Sequence, residues 1–106
     1  MSAGAHHGNT DYLGAWQQLF NDQRVHAYLC GHEHDLQHLR EPGSFTDWIV
    51  SGGGGRELHP IAEKNHANFA RAAFGFLHLS VTAQQLDARF IGTDATVLYS
   101  YRRNLA

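Results

Sequence analysis

The sequence lacks several features that would assign it to a familiar class of protein. It has a single cysteine, Cys30, so no intrachain disulfide can form and no cluster of thiolates can hold zinc. No apolar run approaches the ~20 residues needed to span a bilayer. The opening Met1-Ser2-Ala3-Gly4-Ala5-His6-His7 lacks the basic and apolar regions of a signal peptide, so the expectation is a chain with no membrane partner and an open localisation. Charge of one sign is also missing: the net charge is −2 and basic residues are scattered apart from Arg102-Arg103. This excludes bulk attraction to nucleic acid or an anionic membrane. With 42% hydrophobic and 17% charged residues, no stretch has the composition of a disordered segment.

Histidine, in contrast, is abundant, with nine in 106 residues. Its neutral ring is the commonest metal ligand, although abundance alone does not make a site. A chain of this length forms one domain at most, residues 1–106, burying roughly 65% of the surface of its unfolded form.

Tyr12, Leu13, Trp16, Leu19 and Phe20 recur with helical spacing, which predicts a helix from Asp11 to Gln23 with Gln17, Gln18, Asn21 and Asp22 facing outward. Asn9 or Thr10 caps it, and Asp11 suits the positive end of its dipole. Val25 to Cys30 follows as a strand covered on both faces, so the arrangement is α/β (α+β). Leu36 to Leu39 and Phe45 to Val50 form a hairpin around Glu41-Pro42-Gly43-Ser44. Ser51-Gly52-Gly53-Gly54-Gly55 breaks the pattern, Arg56 to Arg71 is polar, and Asn65 to Ala72 reads as a helical turn. Phe74 to Val81, Leu86 to Ile91 and Thr96 to Tyr101 read as an antiparallel meander.

Chemistry concentrates at Gly31-His32-Glu33-His34-Asp35, immediately after the first strand. Open α/β sheets place their ligands at the carboxyl ends of strands. In extended backbone, residues i and i+2 point to one side about 6–7 Å apart. Two such imidazoles suit a metal pair about 3.5–4 Å apart, or one shared ion. Gly31 then permits a sharp turn beside the metal. Alone, the tetrapeptide is weak, because His-x-His arises by chance in a histidine-rich chain.

Its surroundings add a resemblance. Ala5-His6-His7-Gly8-Asn9-Thr10, Val25 through Leu39, and Trp48-Ile49-Val50-Ser51-Gly52-Gly53-Gly54 together resemble the C-terminal part of the purple acid phosphatases. The nearest likeness is the small tartrate-resistant branch of the calcineurin-like metallophosphoesterases, and it extends as a pattern to Phe74–Val81. The resemblance implies the C-terminal portion of the four-layer metallophosphoesterase β-sandwich, with a mixed/antiparallel sheet and one main N-terminal helix. It implies a binuclear centre of iron with iron, zinc or manganese, with His32 binding the divalent metal and His34 the ferric ion. His7 is then the outer histidine that contacts phosphate or protonates the leaving group. Attack of a metal-bridging hydroxide on phosphorus would hydrolyse phosphate monoesters. Asp35 and Gln37 are candidates for orienting a ligand imidazole, and the four glycines for a tight loop beside the metals.

Other family motifs, Asp-x-His, Gly-Asp-x-x-Tyr, Gly-Asn-His and Gly-His-x-Pro, are not in the sequence, and Lys64-Asn65-His66 is not one of them. The last of these would fall a few residues before Ser2. The implied centre is thus incomplete, and the implied partner is the missing N-terminal half of the same domain. Relatives are often secreted or extracytoplasmic. Two other readings stand beside this one. In the first, His32, His34 and a third histidine, His7 or His59, hold one zinc in a non-catalytic domain. In the second, a truncated product without function self-associates through exposed sheet edges. His6, His26, His38, His59, His66 and His78 read as surface or half-buried histidines, and Cys30 as an inert core residue.

Overall fold

The computed structural model describes residues 13–62 and 67–105. Helix α1 spans Leu13–Asp22, and its expected start at Asp11, with the Asn9 or Thr10 cap, lies outside the described residues. It ends in a left-handed residue, Arg24, with φ 51°. There the Arg24 N–H donates to the Asn21 carbonyl and the Val25 N–H to the Phe20 carbonyl, the paired bonds of a Schellman stop. Phe20 packs on Trp48 and Tyr28 with ring centroids 5.7 and 5.5 Å away. Trp16 and Leu19 of the same stripe remain about half exposed. Gln17 and Asn21, expected to face outward, are instead half-buried. Gln17 Nε2 donates to Glu41 at 2.8 Å, and Asn21 Oδ1 accepts from the Phe45 N–H at 2.9 Å, pinning the helix to the hairpin loop.

Seven strands follow among the described residues: β1 Ala27–Cys30, β2 Leu36–Leu39, β3 Asp47–Ser51, β4 Ala67–Arg71, β5 Gly75–Val81, β6 Gln85–Gly92 and β7 Val97–Asn104. The first four form a mixed sheet in the order β1-β3-β2-β4, and the last three an antiparallel sheet. The hairpin is present, with Leu36 opposite Ser51 and Leu39 opposite Trp48, and so is the meander. Alternation along the mixed sheet divides the core. Leu39, Trp48 and Val50 pack with Phe20 on the helix side, while Leu36 and Ile49 meet Phe90, Tyr99 and Tyr101 of the second sheet. The fully buried members, such as Leu36, Ile49 and Phe90, each contribute roughly 1.5–3 kcal/mol. The fold of the described residues is therefore a β-sandwich with α1 on an outer face.

Two expectations are corrected. Ala67–Arg71 is a strand rather than a helical turn. Its alanine content favours helix, but pairing with the free edge of β2 and stacking of Phe69 on Tyr99 at 4.6 Å outweigh that preference. Strand β1 is not covered on both faces. It lies at the edge of its sheet, with Tyr28 40% and Leu29 51% exposed.

Candidate metal centre

Because β1 and β3 run parallel, their carboxyl ends lie together. The segment 31–35 leaves β1 there, and the glycine run 52–55 leaves β3 beside it. The two are locked by backbone. The Gly52 N–H donates to the Asp35 carbonyl at 2.9 Å, and a Cβ on Gly52 would lie 1.7 Å from the Glu33 carbonyl oxygen. Gly53 is equally constrained by the Ala73 carbonyl oxygen, 2.4 Å from where its Cβ would sit. The expected tight glycine loop therefore rests on the first two glycines. Gly54 and Gly55 have open space, and Gly55 has φ 140°.

Residues 32–35 bend rather than extend, so strand spacing does not set the His32–His34 separation. Gly31 is not the residue with unusual backbone: its φ is not positive, and a Cβ there would meet nothing closer than the Ser51 carbonyl oxygen at 3.9 Å among the described residues. His32 takes that part, with φ 77° and an exposed side chain. Histidine is enriched among the few non-glycine residues that adopt this region, at a cost of about 1–3 kcal/mol.

His34 is half-buried and held from three directions. Its Nδ1 lies 2.8 Å from the Glu57 carbonyl oxygen. A carbonyl only accepts, so Nδ1 carries the proton and Nε2 keeps the lone pair a metal needs. The His34 N–H donates to His59 Nδ1 at 3.0 Å, and the His59 N–H returns a bond to the His34 carbonyl at 3.0 Å. The two rings stack with centroids 3.9 Å apart. Glu33, buried beneath the bend, places Oε2 3.4 Å from His59 Nδ1.

Asp35 is fully buried, with Oδ1 accepting from Gln37 Nε2 at 2.7 Å and Oδ2 without a hydrogen-bond partner. Burial pushes its carboxyl above the usual range, opposed by the Gln37 bond and reinforced by the charge of Glu33. His7 lies outside the described residues, as do His6 and His66. Among the described residues no three His, Cys, Asp or Glu side chains are grouped to hold a metal. The segment thus carries two imidazoles, one with its tautomer set by a carbonyl, and a buried Asp35 oxygen that no hydrogen bond satisfies.

No family model matches the chain. It is 28% identical over 108 residues to tartrate-resistant acid phosphatase type 5 of Oryctolagus cuniculus, covering 92% of this chain and 33% of that protein. Purple acid phosphatase 4 of Arabidopsis thaliana is 26% identical over 99 residues, covering 90% and 29%. The chain is similar, at low identity, to the C-terminal portion of the purple acid phosphatases. It spans about a third of the length of the curated purple acid phosphatases it matches. The fold agrees with a solved structure of GAP50, described as the anchor in the inner membrane complex of Plasmodium. The TM-score is 0.87 at 18% identity, over 99% of this chain and 33% of that one.

The sequence did not mark Glu57 or His59 as supports of His34. Glu57 acts through its backbone, which leaves no residue signature, and His59 is one histidine among nine. A second group also escaped notice. Asp47, 1% exposed, accepts from Tyr101 Oη at 2.8 Å and Arg103 at 2.6 Å, and lies 2.8 Å from His38 Nε2. His38 Nδ1 in turn meets Tyr99 Oη at 2.9 Å. Burial would raise the Asp47 carboxyl, but bonds from His38, Tyr101 and Arg103 together hold it below the usual range. Burial and the adjoining Asp47 hold the Tyr101 hydroxyl well above its usual range. This network joins the two sheets. No helix among the described residues is long and apolar enough to cross a membrane.

Proposed function

We propose that the chain is the C-terminal part of a binuclear-metal acid phosphatase that hydrolyses phosphate monoesters, with His32 and His34 as two of its metal ligands. The observation that carries this reading is their placement at the joined carboxyl ends of β1 and β3, with His32 in a costly left-handed conformation. When bound, an iron with a second iron, zinc or manganese would supply Lewis acidity and activate water. The protein's own part is to present imidazole nitrogens at fixed positions, with His7 as the outer histidine beside the phosphate. Asp35 and Gln37, bonded to each other beneath the bend, brace its backbone.

The other ligands and His32–His34 would meet when the N-terminal part of the domain packs on this one. The edge of β1, which no described strand pairs, and the exposed Tyr28 and Leu29 support that arrangement, and without the partner they favour self-association. Relatives three times as long fit the same view.

A second reading, a non-catalytic domain holding one zinc, is favoured by the His34–His59 pair and by a neighbour in fold named as an anchor. Elemental analysis of the purified chain after zinc loading and dialysis separates the two. The phosphatase reading predicts no retained stoichiometric zinc, since two imidazoles leave half of a tetrahedral sphere empty. One tightly held zinc per chain, abolished by His59→Ala, would favour the binding domain.

A further inference from the structure

We propose that His59 is a positioning residue for His34: together with the Glu57 carbonyl it fixes the plane and tautomer of the His34 ring so that Nε2 is the nitrogen offered to a ligand. The inference deepens the metal-centre reading and rests on it for what Nε2 binds, but not for the state of the ring. Three contacts carry it. The 2.8 Å bond to the Glu57 carbonyl can form only with the proton on Nδ1. The reciprocal backbone pair, His34 N–H to His59 Nδ1 and His59 N–H to the His34 carbonyl, each 3.0 Å, holds residues 57–59 in register against the bend. The His59 ring lies nearly parallel to that of His34, 18° between planes at 3.9 Å, and so limits rotation about the His34 side-chain bonds.

Two contacts compete for His59 Nδ1: the His34 N–H at 3.0 Å and Glu33 Oε2 at 3.4 Å. The shorter one needs the lone pair on Nδ1, which in the neutral ring puts the hydrogen of His59 on Nε2. An imidazole free in water favours the Nε2–H form, which would turn the wrong nitrogen toward a metal. The Glu57–His59 segment reverses that preference before any ligand arrives, and such outer partners are typically worth about 10–100-fold in metal affinity.

The test is the tautomer of His34 in the metal-free full chain, read from the ring nitrogen and carbon shifts by NMR at about pH 8.5, above the ordinary imidazole range. The expected spectrum of the wild type is dominated by Nδ1–H. In His59→Ala the signal moves toward Nε2–H. His59→Asn, which can keep an acceptor near the Nδ1 position, restores part of the wild-type state, and His59→Phe, which keeps only the stacked ring, restores less. A wild-type ring in the Nε2–H form overturns the proposal without any variant. So does a His59→Ala ring still held as Nδ1–H with an otherwise native amide spectrum. A Co2+ titration followed at His34 gives a separate arm. Weakening by about 10-fold or more in His59→Ala supports the presentation of Nε2. Excess Co2+ that binds elsewhere on the wild-type chain and leaves His34 Nε2 uncoordinated, with the tautomer as expected, would overturn the metal-centre reading and leave the positioning of the ring intact.

Discussion

At the scale of single residues, the glycines of the site are unequal, and the inequality is measurable. Gly52→Ala sets a Cβ against the Glu33 carbonyl, a backbone atom that cannot step aside without moving the bend that carries His32 and His34. Its expected cost is about 1–3 kcal/mol or more. Gly31→Ala meets only open space and an ordinary contact, so its expected cost is within about 1 kcal/mol. Urea denaturation of the two variants checks the order, and equal costs would contradict the packing described. Asp47 supplies a pH signature. Its folded carboxyl lies below the usual range, so its contribution is fully present above the unfolded value near about 3.9 and is lost as pH falls through the lower folded value. Asp47→Asn is expected to cost about 3 kcal/mol at neutral pH, because Arg103 and His38 are left buried against a neutral group. The gap between variant and wild type in denaturation midpoint should close only below about pH 4. A gap that is constant down to pH 2 would show that the charge is not the cause.

At the scale of elements, what the sequence revealed depended on how local the cause was. The β2–β3 hairpin and the β5–β6–β7 meander were legible because Pro42-Gly43, Thr82 to Gln85 and Gly92-Thr93-Asp94 mark their turns. Strand β4 was not, since Asn68, Ala70 and Arg71 carry no strand signal. Its state is decided by the vacant edge of β2 and by Phe69 reaching Tyr99, 30 residues away in sequence. The exposure of β1 was equally hidden, because an apolar strand reads as buried whether or not its cover belongs to the same segment. That exposure has a consequence for behaviour in solution. With an edge that no described strand pairs and two exposed apolar side chains, the chain is expected to self-associate as concentration rises. Leu29→Lys should reduce the associated fraction in light scattering while changing stability by less than about 0.5 kcal/mol, as exposed substitutions do. Unchanged association would place the sticky surface elsewhere, with the exposed Trp16 and Leu19 of α1 as the next face to vary.

For the whole molecule, the histidine pair was visible in Gly31-His32-Glu33-His34, while its supports arrive from residues 57 and 59 along a segment without periodicity. The Asp47 network was invisible for the same reason, because its partners lie 54 and 56 residues away on the other sheet. A chain that covers about a third of the curated purple acid phosphatases it matches, and groups no three His, Cys, Asp or Glu side chains for a metal among the described residues, fits the proposal that it is one side of a divided site. The most direct test is hydrolysis of p-nitrophenyl phosphate with iron, zinc or manganese supplied. It would compare this chain alone with a chimera in which it replaces the C-terminal third of a purple acid phosphatase, each as wild type and as His34→Ala. The account predicts no turnover by the chain alone, and turnover by the folded chimera that His34→Ala lowers by about 100-fold or more. Sustained turnover by the chain alone, or a chimera indifferent to His34→Ala, would contradict it.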